Sequence, residues 1–99
     1  MLIAHVRFSV AQRDANTALD TLMSHAGTVR KMPGCLAFTP FVNPTTPTEV
    51  CVQHEWDSAT AFSGYTGSDT FQSVTQVLRP MMTAPPISRR FDATLIETS

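Results

Sequence analysis

The sequence predicts one α+β domain over residues 1–99, with strands and helices in the order βαββαβ. Three observations lead to this order. Four segments have the alternating or continuous apolar residues of strands, the segments between them place apolar residues at helical spacing, and Pro, Gly and Asn separate the elements. This order is typical of a ferredoxin-like sandwich, in which helices cover one face of an antiparallel four-stranded sheet.

The first strand is predicted over Leu2–Val10, where Val6 and Phe8 alternate with His5 and Arg7. Side chains of opposite parity point to opposite faces of a sheet. The two pairs are therefore expected on different faces.

A helix follows, because its apolar residues recur with the spacing of a single stripe. Asp14 is the predicted N-cap, and Met32–Gly34 end the helix. The stripe consists of Ala15, Ala18, Leu19, Leu22, Met23 and Ala26.

The second and third strands are predicted as a hairpin over Cys35–Val42 and Glu49–Trp56, joined by the turn at residues 43–48. Pro40 has no amide hydrogen to donate. The second strand is therefore expected at an edge of the sheet or locally bulged.

Two further helices are predicted. Phe62 and Tyr65 lie in the first, and Phe71 lies in the second, where Pro80 should cause a kink or an early end. Each helix has two candidate N-caps, Asp57 or Ser58 for the first and Ser68 or Asp69 for the second. After Pro85 and Pro86, a last strand is predicted over Ile87–Ile96.

The strands have apolar side chains on both parities, which two helical units cannot cover. Val6 and Phe8 oppose Ile3 in the first strand, and Val52 lies beside Cys51 in the third. A second apolar face needs a cover from another molecule. We therefore expect a homodimer whose two sheets enclose a barrel-like interior with a pocket for a small molecule.

Composition excludes several classes of function. The net charge of −1 and the opposite directions of Arg89 and Arg90 on a strand argue against binding to nucleic acid. No apolar run reaches the 18 or so residues of a membrane span. His5 and Arg7 interrupt the N-terminal apolar segment, which does not resemble a signal peptide, so a cytoplasmic protein is predicted.

Two cysteines, Cys35 and Cys51, lack the spacing of metal ligands. Free thiols are the expected state, with a disulfide between neighbouring strands as the alternative. The chain also lacks GxGxxG, P-loop and HExxH motifs. We therefore predict no metal and no cofactor.

Several segments in sequence order resemble the antibiotic biosynthesis monooxygenase superfamily of dimeric α+β barrels. They are Met32–Leu36, Asn43–Pro44, Glu55–Ser58 with Ala61 and Phe62, Ser68–Gln72, and Leu78–Met82 with Pro85 and Pro86. The resemblance covers nearly the whole chain. It implies cofactor-free oxidation of small aromatic compounds, although members of the superfamily also include an isomerase and heme-cleaving enzymes.

The sequence departs from some patterns of that superfamily. The Asn, Trp and His of heme-cleaving members correspond here to Val6, Tyr65 and Thr75, which disfavours heme cleavage. Histidines of many quinol-oxygenase-like members correspond to Tyr65 and Thr70. A glutamate two residues before the tryptophan is replaced by His54.

Three residues are the predicted catalytic set. His54 is the candidate general base, because imidazole titrates near neutrality, and it is expected to face the barrel interior. Trp56 has the same parity and would stack on a flat substrate or donate its indole N–H. Tyr65 would donate a hydrogen bond to a substrate oxyanion. Each of the three also has a purely structural interpretation, as a core or surface residue.

The predicted substrate-binding residues are His5, Arg7, Val52, Phe62 and Phe71. Arg7 requires an anion or carboxylate if it is buried, and a solvent-exposed strand position is the alternative. We therefore expect a cofactor-independent monooxygenase that oxidises a small quinol- or anthrone-type substrate with dioxygen in a pocket between the helices and the sheet. The alternatives are an isomerase or proton-transfer enzyme that uses the same pocket, and a non-catalytic small-molecule-binding dimer.

Overall fold

The computed structural model describes all 99 residues and contains one antiparallel sheet with three α-helices packed on it. Short 3₁₀ turns lie at residues 12–14 and 79–81. The elements are β1 (Leu2–Ser9), α1 (Ala15–Arg30), β2 (Cys35–Val42), β3 (Glu49–Trp56), α2 (Ala59–Thr66), α3 (Asp69–Leu78) and β4 (Ile87–Asp92). The strand order β2-β3-β1-β4 is that of a ferredoxin-like sandwich, as predicted.

The strand register divides the sheet into a covered face and an open face. On the covered face, Ala4 and Phe8 of β1 and Val50 and Trp56 of β3 are buried beneath the helices. On the open face lie three rows of side chains that no element of the chain covers. These rows are Ala37–Glu55–Ile3–Phe91, Thr39–Gln53–His5–Arg89 and Phe41–Cys51–Arg7–Ile87.

Helix α1 packs its apolar stripe against β2 and α3. The buried residues are Ala18, Leu22, Ala26 and Val29. Met23, which was predicted in the stripe, is 49% exposed. Asp14 occupies the predicted N-cap position of α1, but its side chain makes no capping hydrogen bond, because the residue ends a 3₁₀ turn and already has helical backbone angles.

Two serines begin the remaining helices. Ser58 Oγ accepts a hydrogen bond from Ala61 N, and Ser68 Oγ accepts one from Phe71 N, both at 3.1 Å. Helix α3 ends at Leu78, two residues before Pro80, as the missing amide hydrogen of proline requires. None of the helices is both long and apolar enough to cross a membrane.

Strand β4 is shorter than predicted. It ends at Asp92, which pairs with Leu2, and the amide of Ala93 then donates to the carbonyl of Met1 at 2.8 Å. Residues 93–96 are not part of the sheet despite their apolar pattern. The predicted extension to Ile96, which is 94% exposed, is wrong.

Both cysteines are free. Cys35 pairs with Trp56 across the β2–β3 ladder, whereas Cys51 pairs with Phe41. The two thiols are thus separated by five residues along β3, roughly 16 Å, which exceeds the reach of a disulfide. The alternative of a disulfide is therefore wrong. The predicted position of Pro40 in an edge strand is confirmed, and the irregularity of β2 lies between Cys35 and Ala37.

Gly34 turns the chain from α1 into β2 in a conformation that favours glycine. Its φ is 79°, and a Cβ atom there would lie 2.5 Å from both Ala61 Cβ and Asp57 Oδ1. The Gly34 carbonyl also accepts a hydrogen bond from the Asp57 amide at 2.8 Å. This close approach holds the end of β3 against the start of β2.

We expect Gly34→Ala to reduce the free energy of unfolding by about 2 kcal/mol or more, since it adds both strain and a clash. Gly27→Ala is the matched control, because a Cβ atom at Gly27 in α1 meets no atom within 4 Å. It should be neutral or stabilise by up to about 1 kcal/mol. Urea denaturation of the two variants measures both values, and equal effects would contradict the role of Gly34.

Candidate functional site

A cavity of about 210 Å³ lies between the covered face of the sheet and the helices. Val6, Val52 and His54 form part of its floor, and residues of α2 and α3 form its roof. Its mouth lies beside β4 and the segment that precedes it. The mouth residues are Arg79, Met82, Pro86, Ser88 and Arg90.

Aromatic rings form one side of this cavity. Tyr65 is stacked between Trp56 and Phe71, with ring centroids 5.2 Å and 5.3 Å away. Phe38 and Phe62 approach His54 at 5.5 Å and 5.7 Å between ring centroids. These contacts fix the rings and leave the His54 imidazole in an apolar surrounding.

His54 and Trp56 share a buried hydrogen bond, in which Trp56 Nε1–H donates to His54 Nδ1 at 2.9 Å. The other ring nitrogen, His54 Nε2, is the one buried side-chain nitrogen or oxygen in the chain without a partner. Leaving such a group unpaired costs about 1–3 kcal/mol. A buried polar group left without a partner is typical of a binding site.

The sheet register brings His54 close to a positive charge. His54 pairs with Ala4, which pairs in turn with Arg90, so the three residues form one row across β3, β1 and β4. The Arg90 guanidinium lies 4.9 Å from the centre of the Phe62 ring, at the cavity mouth.

His54 is poorly suited to act as a general base. Burial, the charge of Arg90 and the charge of His5 lower its pKa from 6.5 to about 4, so the imidazole is neutral near pH 7. An indole nitrogen can only donate, so Nδ1 must accept and the single imidazole proton resides on Nε2. The predicted role of His54 as a base conflicts with this arrangement, which makes the ring a hydrogen-bond donor.

Tyr65 has the protonation state that its predicted role requires. Burial, together with the nearby Cys35 thiol, raises the pKa of its phenol to about 12. The hydroxyl therefore keeps its proton near neutral pH and can donate to an oxygen. Phe62, Phe71 and Val52 line the same cavity.

Trp56 differs from its predicted role. It is fully buried, stacked on Tyr65 and absent from the cavity lining, and its N–H is already used by His54. It therefore has no ring face for a substrate and no free donor. The prediction that Trp56 contacts the substrate is wrong.

His5 and Arg7 lie on the open face of the sheet, away from the cavity. With Cys51 and Gln53 they line a separate shallow groove of about 240 Å³. Strand alternation separates them from His54, which faces the helices. His54 therefore lies in the predicted pocket between the helices and the sheet and does not face an interior between two sheets. The predicted single site is split, because His5 and Arg7 lie on the other face.

Two arginines at the cavity mouth, Arg79 and Arg90, are not among the residues predicted from the sequence. The alternation of Arg89 and Arg90, which argues against a basic stripe, is the signal that could have identified Arg90. That alternation places Arg90 at the cavity and Arg89 on the open face. The cavity lining includes no Asp or Glu. No group of three or more His, Cys, Asp or Glu side chains has an arrangement that would hold a metal ion.

The profile of the antibiotic biosynthesis monooxygenase family matches residues 1–76. The chain belongs to this family. The family match ends within α3, so it covers β1 to β3 and most of the residues that form the cavity floor and roof. Val6, Tyr65 and Thr75, the positions associated with heme cleavage in the wider superfamily, all line the cavity. No curated protein sequence matches the chain.

Solved structures share the fold at low sequence identity. An antibiotic biosynthesis monooxygenase has a TM-score of 0.87 at 18% identity, over 96% of this chain and 100% of that chain. A candidate antibiotic biosynthesis monooxygenase from Deinococcus radiodurans has a TM-score of 0.90 at 18% identity, over 100% and 98%. A Mycobacterium tuberculosis protein has a TM-score of 0.84 at 21% identity, over 99% and 98%.

The lowered pKa of His54 predicts a dependence of stability on pH. The unfolded chain binds this proton first as the pH falls, because its His54 pKa is near 6.5 and the folded value is about 4. The contribution of the neutral His54 to the free energy of unfolding is therefore fully present above pH 6.5. It decreases by about 3 kcal/mol as the pH falls toward 4.

Urea denaturation of the wild type and of His54→Gln at pH 7.5 and pH 4 measures this effect. Carboxylates titrate in both proteins, so the difference between their pH dependences isolates the His54 contribution. His25→Gln, in α1 and outside the cavity, should behave like the wild type. Identical pH dependence in wild type and His54→Gln would contradict the neutral, buried state of His54.

Proposed function

We propose that this chain oxidises a small phenol or quinol with dioxygen, without a resident cofactor, in the cavity between the helices and the sheet. The observation that carries the proposal is the composition of that cavity. It combines aromatic walls, an unpaired donor on His54 and two arginines at the mouth, with no carboxylate in the lining. These features suit a flat, electron-rich molecule that carries a negatively charged oxygen.

The volume of the cavity limits the substrate. An engineered protein cavity of about 150 Å³ holds benzene, so a cavity of about 210 Å³ suits one or two fused rings. A phenol or quinol of that size is favoured over a three-ring anthrone. This narrows the substrate class that the sequence predicts.

The substrate proton has no acceptor among the lining residues. His54 uses its only lone pair for Trp56, and Tyr65 remains a phenol. We infer that the hydroxyl proton of the substrate leaves to water at the open mouth. Arg79, Arg90 and the His54 donor then stabilise the phenolate, which shifts its ionisation toward neutral pH. The lack of a base also disfavours an isomerase that acts by proton abstraction.

The reaction needs no external reductant. The phenolate transfers one electron to dioxygen, and the resulting superoxide and substrate radical combine into a peroxide at a ring carbon that carried hydrogen. Loss of water then leaves a carbonyl group at that carbon. One oxygen atom enters the product and the other leaves as water, so a phenol and dioxygen yield a quinone and water.

We propose also that two copies of the chain pair through the open face of the sheet. That face presents Phe41, Ile87 and Phe91, which are 41%, 47% and 38% exposed, next to the side chains of His5 and Arg7. Burial of such a face against a second copy would remove this apolar surface from water. His5 and Arg7 would then act at the interface and not at the substrate.

Oxygen uptake with a panel of one- and two-ring phenols tests the reaction. We expect consumption of one dioxygen for each quinone formed. Tyr65→Phe removes one donor and should lower turnover by about 10²-fold. Arg90→Gln should raise KM about 10-fold, because it removes a charge-assisted contact to the substrate anion.

Arg89→Gln is the matched control, since Arg89 is adjacent in β4 but points to the other face. It should retain the KM of the wild type. Binding of phenols without oxygen uptake would indicate a non-catalytic binding protein and would contradict the proposed reaction. Equal effects of Arg89→Gln and Arg90→Gln would remove the cavity as the site.

Light scattering at micromolar concentration tests the pairing, and the expected mass is twice that of the 10.8 kDa chain. Ile87→Lys places a charge on the open face and should shift the mass toward that of a monomer. Met23→Lys is the control, because Met23 is similarly exposed but lies on α1. A folded wild-type monomer at that concentration would refute the pairing.

A further inference from the structure

The Trp56–His54 hydrogen bond determines which ring nitrogen of His54 carries the proton. Both side chains are at least 97% buried, and Trp56 Nε1 lies 2.9 Å from His54 Nδ1. Tryptophan has no acceptor, so the reverse direction of donation is excluded. A neutral imidazole has one proton, which must then reside on Nε2.

The proton on Nε2 has no partner within the chain. The ring that carries it lines the cavity and is surrounded by Phe38, Phe62 and Tyr65, whose ring centroids lie 5.5 to 5.8 Å away. The faces of these rings accept only weak hydrogen bonds, and the Tyr65 hydroxyl accepts none from Nε2. The chain therefore holds one oriented, buried and unpaired donor in a ring that contributes to the cavity lining.

We propose that Trp56 is a positioning residue that holds His54 as a fixed Nε2–H donor, and that this donor selects aromatic ligands with an accepting oxygen on the ring system. The favoured ligand groups are a phenolate or a ring carbonyl, which both accept. An aromatic amine would oppose its own N–H to the His54 donor and is disfavoured. The inference rests on the proposed function only in taking this cavity as the ligand site.

Selectivity for an oxygen acceptor can be measured with two bicyclic probes, 1-tetralone and its parent hydrocarbon tetralin. They differ only in that 1-tetralone has a carbonyl group where tetralin has a methylene group. We expect the wild type to bind 1-tetralone at least 10-fold more tightly by titration calorimetry. The ratio should fall to about 1 in His54→Phe, which keeps an aromatic ring without a donor. His54→Gln retains an N–H donor and should recover part of the ratio.

Nitrogen-15 NMR of labelled histidine reads the tautomer directly. In the wild type, the His54 Nε2 signal should lie in the protonated range and the Nδ1 signal in the unprotonated range. Trp56→Phe removes the indole donor, so the signals should shift toward a mixture of tautomers and the tetralone ratio should fall. His25→Phe is the control and should leave both readouts unchanged. Thermal melting of each variant confirms that it is folded.

Each part of the proposal has an outcome that overturns it. A wild-type His54 protonated at Nδ1 excludes the fixed donor, and equal binding of the two probes excludes the selectivity. An unchanged ratio in His54→Phe excludes His54 as its source, and unchanged signals in Trp56→Phe exclude the positioning role. Oxygen uptake enters none of these measurements. If no phenol is oxidised, the inference about the His54 donor is therefore unaffected. If the donor inference fails, the proposed oxidation is likewise unaffected.

Discussion

A single buried hydrogen bond, from the indole of Trp56 to the imidazole of His54, organises the covered face of the sheet. Each partner would be costly to bury alone, because a polar group removed from water needs a partner. Together they bury two aromatic rings at the end of β3, against which Tyr65 and Phe62 of α2 pack. The pairing uses one polar atom of each ring and leaves His54 Nε2 unpaired in the cavity wall. The Trp56–His54 hydrogen bond thus contributes both to the core of the domain and to the polar character of its cavity.

The cavity lining contains hydrogen-bond donors and two arginines but no general base. The pKa of His54 is lowered and that of Tyr65 is raised, both chiefly by burial. The neutral forms of both groups are hydrogen-bond donors under these conditions. With Arg79 and Arg90 exposed at the mouth, every charged group that lines the cavity is positive near pH 7. Under the proposed function, these groups would stabilise the negative charge of a substrate oxyanion.

The two faces of the sheet have separate tasks because strand geometry separates them. Alternation along β1 places Ala4 and Val6 beneath the helices and sends His5 and Arg7 to the open face. Alternation along β4 divides Arg90 from Arg89 in the same way. One face thereby lines the cavity, and the other is left uncovered by any element of the chain. A charged residue on the open face can change the assembly without contacting the cavity.

The sequence by itself determined the elements and their order, because apolar periodicity, serine caps and proline or glycine breaks are local properties. It also identified Tyr65, Phe62 and Phe71 as cavity residues through their place in the resemblance. It could not determine which parity of each strand faces the helices, and so it combined His5 and Arg7 with His54 in one site. The end of β4 at Asp92 was also beyond local reasoning, since it depends on where β1 begins. The shared parity of His54 and Trp56 on one strand was readable from the sequence, but their hydrogen bond and the burial that leaves Nε2 unpaired were not, because side-chain rotamers and burial depend on the helices packed against that face.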